Sequence, residues 1–373
     1  MTAGKTYLEQ ALRFELCTIP KALFEAPELL HEAQKSTLAD SIWNISGKRD
    51  VTLSNNVQYV LDGGALLHRI PWARGTSFAN ILGSYSNYVK SHNCRAVIVF
   101  DGYEESSTKD MTHMRRSEGK KSVTVTFTID MNLTITKEAF LTNVKNKKRF
   151  VHFLGDHLEA SGCQVFHAKE DADLLIVNKT LEEAERKDAV LVGDDTDLLV
   201  LLLHHFSADN KRVFFAPEPK KGSKNRIWDI QQVQAALGSF TCLHLLFLHA
   251  FLGCDTTSRL YGVGKGSILK KFKENVELQK AAVVFDGPSS TQARVQEAGE
   301  KAFVAIYGGK ISDNLNSLRF KKYSEKVATS LSSVDSKSLL PTSAAAKFHS
   351  YRVFLQVNQW KDLDCSMDPA LWG

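Results

Sequence analysis

The chain alternates short apolar runs with longer amphipathic stretches between residues 57 and 216. The runs at 57–62, 95–101, 163–167 and 189–193 have the length and β-branched content of buried strands. The stretches at about 76–91, 148–161 and 171–186 repeat apolar residues at helical spacing. Two further apolar runs, LLVLLL at 198–203 and KRVFFA at 211–216, are predicted to extend the sheet. Because strands that alternate with helices form right-handed crossovers, the pattern predicts an α/β fold with a parallel sheet flanked by helices.

Other segments interrupt or flank this alternation. The insertion at 102–147 contains SVTVTFTIDMNLTIT, whose alternation predicts a hairpin or an extended arm, with a mobile surface loop as the alternative. Residues before the first strand read as helical segments, and the pattern after residue 240 is again mostly helical. The predicted organisation is a helical extension at 1–56, a core at 57–239 with a cap at 102–147, a helical segment at 240–285 and a helical tail at 286–373.

Composition places the chain among ordinary globular proteins. It has 373 residues, 43% of them hydrophobic and 24% charged, and no apolar run reaches the roughly 18–20 residues that cross a bilayer. Six scattered cysteines form no CxxC pair, and the N-terminus lacks a signal-peptide pattern. We therefore expect an intracellular protein with no membrane partner. The run KNKKR at 145–149 favours the nucleus over the cytoplasm.

Aspartates follow one predicted strand after another. Each one alone is more often a cap or turn residue, but their repetition at successive strand ends favours a shared site. The carboxyl ends of parallel strands meet at one edge of a sheet, where several carboxylates repel one another unless cations neutralise them. Oxygen ligands favour Mg²⁺ or Mn²⁺, which many enzymes use to hydrolyse phosphodiesters. The aspartates in question are Asp62, Asp101, Asp171, Asp173, Asp195 and Asp197, with Asp255 after a helical run.

Basic residues are clustered, although the net charge of +5 does not by itself indicate a polyanionic partner. Such clusters usually form a solvated surface, but here they flank a predicted acidic pocket, which suits a phosphate backbone held beside a metal centre. They lie at Arg115, Arg116, Lys120 and Lys121; at Lys145, Lys147, Lys148 and Arg149; at Lys220, Lys221, Lys224 and Arg226; and at Lys265, Lys270, Lys271 and Lys273.

Five sequence blocks resemble the flap endonuclease branch of the PIN-like nucleases. FLGCDTTSRL followed by LYGVGKGSILKKF is similar to the helix-hairpin-helix segment of that family, in which a catalytic Asp precedes a glycine turn. The blocks VLDGGALLHRI, AVIVFDG, AKEDADLLIV and LVGDDTDLLVL resemble the four acidic blocks of the core, in the family's order. The resemblance covers about 57–280. It implies a PIN-like nuclease core followed by a helix-hairpin-helix segment that binds DNA.

The resemblance also implies roles for individual residues. It assigns the seven aspartates as metal ligands, with Glu170 as an alternative in the third block and Asp194 as a bystander. It places Lys109 and Arg116 at the scissile phosphate, with Arg115 as a rival to Arg116. The residues expected to hold nucleic acid at the glycine turn are Gly262, Gly264, Lys265, Lys270 and Lys271, with K⁺ as a further ion there.

The implied activity is a structure-selective nuclease. Two Mg²⁺ or Mn²⁺ ions about 4 Å apart would support hydrolysis of DNA that has duplex and single-stranded parts, leaving 5′-phosphates. Two alternatives stay open: a nucleic-acid-binding scaffold whose chemistry has lapsed, and an RNA-directed PIN nuclease. A phosphatase with an Asp nucleophile is disfavoured because position 64, where its acidic partner would stand, is Gly64. The insertion predicts a cap unlike the helical arch of the family.

Overall fold

Most apolar runs between residues 57 and 229 pair into a six-stranded sheet in the computed structural model of the chain. The structure describes residues 2–46, 51–54, 56–92, 95–102, 123–217, 226–287, 289–329, 333–362 and 368–372. The chain forms two units: one is residues 48–235, and the other joins residues 1–47 to residues 236–373. Within the described ranges no helix combines the length and apolar character that a membrane span requires.

The N-terminal residues are part of the discontinuous unit. The Oγ of Ser41 donates to the carbonyl of Gly266 at 3.0 Å, and the Oγ1 of Thr342 donates to Glu15 Oε1 at 2.7 Å. The prediction of a wholly helical extension is wrong in part. Residues 24–30 form an antiparallel hairpin that turns at Glu28, whose φ is 62°. The elements of this stretch are α1 (Thr2–Ala11), β1 (Phe24–Ala26), β2 (Leu29–Leu30) and α2 (Ser36–Ser46).

The unit at 48–235 contains the sheet and its flanking helices. Apart from the run at 198–203, the predicted strands and helices of the core are confirmed to within a few residues at each end. Its elements are β3 (Gln58–Asp62), α3 (Gly63–Arg69), α4 (Phe78–His92), β4 (Val97–Phe100), α5 (Lys137–Thr142), α6 (Val144–Ala160), β5 (Gln164–His167), α7 (Asp173–Ala184), β6 (Ala189–Val192), α8 (Thr196–His205), β7 (Val213–Ala216) and β8 (Trp228–Asp229), with α9 (Ile230–Leu237) at its C-terminal boundary.

The strand order is β5-β4-β3-β6-β7-β8. The first five strands are parallel, and β8 pairs antiparallel with β7, so the sheet is mixed rather than wholly parallel. In the register of the central strand, Asp62 lies beside Val99 of β4 and Leu61 beside Val192 of β6. Every residue of β4 and β6 is buried, as expected for parallel strands covered on both faces.

The prediction that LLVLLL extends the sheet is wrong. Residues 198–203 lie within α8, and each of their side chains is 0% exposed. A helix that is buried on all sides has the same uninterrupted apolar run as a buried strand, so periodicity could not separate the two. The discriminating signal is Asp195, whose side chain accepts a hydrogen bond from Asp197 N–H and caps the helix.

Of the predicted insertion at 102–147, the structure describes residue 102 and residues 123–147; residues 123–136 form an extended arm and not a hairpin, and the rest is helical in α5 and the start of α6. The backbone N–H groups of Phe78 and Ala79 donate to the carbonyls of Met131 and Ile129, at 3.0 and 2.7 Å. The ring of Phe127 lies 4.2 Å from that of Phe78, centroid to centroid, and is 1% exposed. The arm is therefore fixed to the start of α4 by backbone pairing and by burial of one aromatic ring.

The remaining elements of the discontinuous unit are helical, as the pattern after residue 240 predicts. Aromatic packing joins them: the ring of Phe251 lies 4.8 Å from Phe303, and Phe247 lies 4.7 Å from Phe285. They are α10 (Ser239–Leu243), α11 (Leu245–Phe251), a 3₁₀ turn (Lys265–Ser267), α12 (Ile268–Glu274), α13 (Val276–Phe285), α14 (Gln292–Ile306), α15 (Leu315–Thr329), a 3₁₀ turn (Ser336–Ser338), α16 (Ser343–Trp360) and α17 (Pro369–Trp372).

Substitution of Gly63 tests the close packing of α3 on β4. A Cβ at this position would lie 2.3 Å from Cδ1 of the buried Phe100, so we expect Gly63→Ala to destabilise the protein by about 1–3 kcal/mol. Gly83 in α4 has no atom within 4 Å of the corresponding position, and Gly83→Ala should stabilise by about 0.5–1 kcal/mol. Urea unfolding in the presence of chelator measures both, and equal effects would contradict the packing.

Candidate metal centre

The strand order creates a crevice at the carboxyl edge of the sheet. The chain passes from β3 through β4 to β5 on one side and then crosses to β6 on the other, so the topological switch point lies between β3 and β6. In open α/β sheets, ligands bind outside the carboxyl ends of the strands at this point. Asp62 ends β3 and Asp195 follows β6, so both predicted ligands flank the crevice.

Asp62 and Asp101 approach each other across Gly64. A Cβ built on Gly64 would lie 3.1 Å from Asp62 Oδ1 and 3.8 Å from Asp101 Oδ2. The Gly64 N–H donates to Asp62 Oδ1 at 2.7 Å, so Asp62 is the N-cap of α3. Because Gly64 has no side chain, there is space beside the two carboxylates. A side chain at position 64 would reduce that space.

The loop between β5 and α7 joins the same edge through backbone amides. The N–H of Ala172 donates to Asp101 Oδ1 at 3.3 Å, and the N–H of Asp173 donates to Asp171 Oδ1 at 2.8 Å. The N–H of Gly102 donates to the carbonyl of Glu170 at 2.8 Å. These bonds place Asp173, the first residue of α7, next to the end of β4.

Asp195 and Asp197 lie together at the start of α8. The N–H of Asp197 donates to Asp195 Oδ1 at 3.0 Å, and one oxygen of each carboxylate lies within 4.8 Å of the other. Asp197 is buried, with 3% of its surface exposed, and Asp195 is half-buried. The β6–α8 connection therefore presents two carboxylates on the β6 side of the crevice.

The pKa of Asp173 indicates that carboxylates from these segments lie close to one another. The pKa of Asp173 is raised well above its ordinary value by burial and then by Asp171, Asp195, Asp197 and Asp62. Those four carboxylates come from the loops after β3, β5 and β6. The predicted gathering of carboxylates is thus present within the unit at 48–235.

The pKa of Asp62 shows that helix capping is not the dominant influence on this carboxyl group. Helix capping stabilises a carboxylate, and the N–H groups of Gly64 and Ala65 do lower this pKa. Burial, Asp101 and, more weakly, Asp194 outweigh them and raise the pKa to about 6. Capping alone would have moved the pKa the other way. Asp194, the expected bystander, contributes to the electrostatic field at Asp62.

The donor set fits a hard divalent cation. Only carboxylate oxygens are gathered here, and Mg²⁺ and Mn²⁺ prefer such ligands. Each carboxylate offers about four lone-pair positions, so accepting one backbone N–H is compatible with binding an ion. A cation at this position would also relieve the repulsion that raises the pKa values of Asp62 and Asp173.

Four of the predicted site residues are not tested within this unit. Asp255 belongs to the discontinuous unit, where its carboxylate pairs with Lys35 Nζ at 2.9 Å. Lys109, Arg115 and Arg116 lie outside the described residues. Their assignment as a metal ligand and as phosphate contacts stays a prediction.

The predicted nucleic-acid turn is only partly suited to its role. Gly262 has φ of 71°, and Gly262, Gly264 and Lys270 are exposed. Lys265 is 4% exposed, and its Nζ contacts the Nδ1 and carbonyl of His249 at 2.8 and 2.9 Å. That buried position argues against contact between Lys265 and a phosphate. The half-buried Lys271 donates to the carbonyl of Ile306 at 2.5 Å.

Two basic residues near the metal centre extend the predicted set: Lys169, which had no predicted role, and Arg149, which was predicted only as part of the basic cluster at 145–149. Lys169 lies two residues after β5, and Arg149 lies on α6 against the rings of Phe127 and Phe153, at 5.4 and 5.6 Å from their centroids. The position of Lys169 after a strand could have indicated it. The ring contacts of Arg149 depend on the insertion folding back, which the sequence pattern does not reveal.

Comparison with known proteins adds a limited likeness. No protein-family model and no curated protein matches the chain. Three solved structures of the catalytic core of Rad2 in complex with DNA substrate are similar to it. Complex II has 16% identity and a TM-score of 0.41 over 85% of this chain and 84% of the other. Complex III has 14% identity and a TM-score of 0.45 over 88% of this chain and 87% of the other. Complex IV has 14% identity and a TM-score of 0.39 over 89% of this chain and 95% of the other. The site therefore rests on its own geometry.

The raised pKa of Asp62 predicts a pH-dependent effect of metal on stability. A carboxyl whose folded pKa lies near 6, above its ordinary value of about 4, stabilises the metal-free fold below pH 4 and loses that contribution as the pH rises through 6. At pH 7.5 we expect relief of this repulsion by Mn²⁺ to add about 1–2 kcal/mol to the free energy of unfolding, after allowance for solvent screening, and so to raise Tm by a few degrees. At pH 5 the increase in Tm should be smaller. Thermal unfolding at both pH values measures this.

The variant Asp62→Asn separates this repulsion from capping. Asn caps helices as well as Asp does, so the variant should be more stable than the wild type in chelator at pH 7.5 and respond little to Mn²⁺. Asp209→Asn is the matched control, because Asp209 lies before β7 at the opposite edge of the sheet and pairs with Ser207. A metal shift of the same size at both pH values would contradict the cluster.

Proposed function

We propose that the chain is a divalent-metal-dependent nuclease that hydrolyses DNA phosphodiester bonds. The observation that carries this proposal is the shared electrostatic field of Asp62, Asp171, Asp173, Asp195 and Asp197 at the topological switch point, with Asp101 beside Asp62. Crowded carboxylates that raise one another's pKa destabilise a protein unless a cation compensates them, and a divalent cation in this setting is suited to phosphodiester hydrolysis.

The side chains divide into two sets by position. One ion is assigned to Asp62 and Asp101, whose carboxylates both lie within 4 Å of where a Gly64 Cβ would stand, and to Asp173, which follows the Ala172 amide that binds Asp101. Asp195 and Asp197 are assigned to a second ion, and the sequence resemblance adds Asp255 to that set. Bound Mg²⁺ or Mn²⁺ would supply an activated water and stabilise the leaving oxygen.

The backbone preorganises these ligands. The amides of Gly64, Asp173 and Asp197 each fix one carboxylate oxygen, so the side chains need not reorganise when they bind a cation. The partly buried setting strengthens every interaction with charge that develops on a phosphate. Lys109 and Arg116, or Arg115, are proposed to stabilise that charge from the insertion.

Several finer features are proposals from the sequence resemblance. They are selection by DNA structure, 5′-phosphate products, a duplex grip by the helix-hairpin-helix segment at 240–285 with K⁺ at its turn, and residence in the nucleus. A helix-hairpin-helix segment contacts duplex backbone through the amides of its turn. Gly262 and Gly264 are exposed and available for such a contact.

Cleavage by matched variants tests the proposal. Purified full-length protein with Mn²⁺ or Mg²⁺ should cleave labelled flap or hairpin DNA, and chelator should abolish cleavage. Asp195→Asn preserves the cap of α8 but removes a charge from the crevice, so we expect at least a 100-fold loss of rate with binding retained. Asp209→Asn should cleave as the wild type does.

The alternatives give different outcomes in the same assay. Wild-type binding of DNA without cleavage under either metal would indicate a lapsed scaffold. Cleavage of a matched RNA substrate in preference to DNA would indicate an RNA-directed nuclease. Full activity of Asp195→Asn would contradict the assignment of the crevice as the active site.

A further inference from the structure

A basic groove lies beside Asp101 within the unit at 48–235. It has a volume of about 670 Å³ and is lined by Asp101 and Gly102, by one face of α6, and by the end of β5 and the two residues after it. We define the groove by its basic residues, which are Lys145, Lys148, Arg149, His152 and Lys169. Its lining contains four permanent positive charges and one carboxylate, that of Asp101.

The positive charges form one stripe along a helix. Lys145, Lys148, Arg149 and His152 have spacings of three, four and seven residues, which place them on a single face of α6. Seven residues of helix span about 10 Å, so the charges are spread along a line and do not converge on one point. A linear array suits successive phosphates of a chain better than it suits a single small anion.

Arg149 is fixed in place by aromatic rings. Its guanidinium carbon lies 5.4 Å from the centroid of Phe127 and 5.6 Å from that of Phe153, and these two rings lie 5.8 Å apart. A planar guanidinium that stacks on rings keeps its N–H groups oriented, which reduces the entropy lost when it binds a phosphate. Phe127 belongs to the extended arm, so the insertion itself contributes to this arrangement.

The opposite wall offers a flat ring as well as a charge. The ring of His167 stacks on Phe100 at 5.5 Å with an angle of 21° between the planes, and Lys169 follows two residues later. A Cβ at Gly155 would lie 3.0 Å from His167 Nε2, so α6 approaches this strand closely because position 155 lacks a side chain. An exposed imidazole beside a basic stripe can stack with an unpaired base.

We propose that this groove binds the backbone of a single nucleic-acid strand that leads to the metal centre at Asp101. The inference rests on the proposed function, because the bound strand is the one that the metal centre would cleave. A cavity of about 670 Å³ is of the size that holds a small ligand, so it takes a short stretch of unpaired strand and not a duplex. The groove would bind the strand through charge and ring stacking, so binding would not depend on the base sequence.

Salt-dependent binding tests the groove separately from cleavage. Binding of a labelled single-stranded DNA oligonucleotide to the full-length chain is measured in EDTA over a range of salt concentrations. For Lys145→Ala/Lys148→Ala/Lys169→Ala, the slope of log affinity against log salt should fall by about 2, because each neutralised phosphate contributes about 0.7 on a single strand. A slope equal to that of the wild type would overturn the proposal.

A second variant and a charge-matched control guard against unfolding and general electrostatics. Arg149→Met keeps an apolar stem against the two rings and should weaken binding while leaving Tm near that of the wild type. The control, Arg186→Ala/Lys187→Ala/Lys211→Ala, removes three charges from the loops that precede β6 and β7, at the opposite edge of the sheet. It should retain at least most of the wild-type slope, and a loss equal to that of the groove variant would overturn the proposal.

Other substrates separate a strand groove from its rivals. Circular single-stranded DNA should bind with the same dependence on the groove residues, whereas binding restricted to oligonucleotides with a 5′-phosphate would overturn the proposal in favour of a terminal-phosphate pocket. An equal loss of blunt-duplex binding in the groove variant would also overturn it. If the wild type binds DNA through the groove residues but never cleaves it, the nuclease function is contradicted and the groove proposal stands. If the wild type cleaves DNA but its binding does not depend on the groove residues, the groove proposal is contradicted and the nuclease function stands.

Discussion

Repulsion among carboxylates at one edge of a parallel sheet is the constraint on which this structure depends. The chain could relieve it by protonation, by separation of the loops or by a cation. Separation is opposed by backbone contacts, since the Ala172 amide joins the loop after β5 to Asp101, and the Gly64 amide orients Asp62. Protonation offers one relief, because burial and the neighbouring carboxylates raise the pKa values of Asp62 and Asp173. A divalent cation would offer another at neutral pH.

The side chains that cap these helices are also those that are proposed to bind a cation. Asp62 and Asp195 begin α3 and α8, and in each case a backbone amide two residues later orients the carboxylate. The amides fix the ligands before any ion arrives, which reduces the reorganisation that binding would otherwise require. The structural role of these aspartates thus supports the chemical one, and the frequent use of Asp as a cap is no argument against a site.

The sequence was sufficient to predict the core strands and the carboxylates, because both depend on local apolar runs and on the rule that parallel strands end at one edge. It was not sufficient for α8, whose run at 198–203 is buried on every side and so lacks the polar face that identifies a helix. The stacking of Arg149 on Phe127 was also not predictable, because residues 22 apart in the chain meet only after the arm folds onto α4. The charge of Lys265 suggested a surface role, but His249 binds it in the interior.

The discontinuity of the unit that joins residues 1–47 to residues 236–373 has a consequence for synthesis. The two hydrogen bonds that tie Glu15 and Ser41 to this unit have partners at Thr342 and Gly266. At typical elongation rates of roughly 5–20 residues per second, the ribosome adds those partners tens of seconds or more after the first helices emerge. The unit at 48–235 is continuous and can fold during that interval. The N-terminal helices must meanwhile keep their apolar faces from associating wrongly.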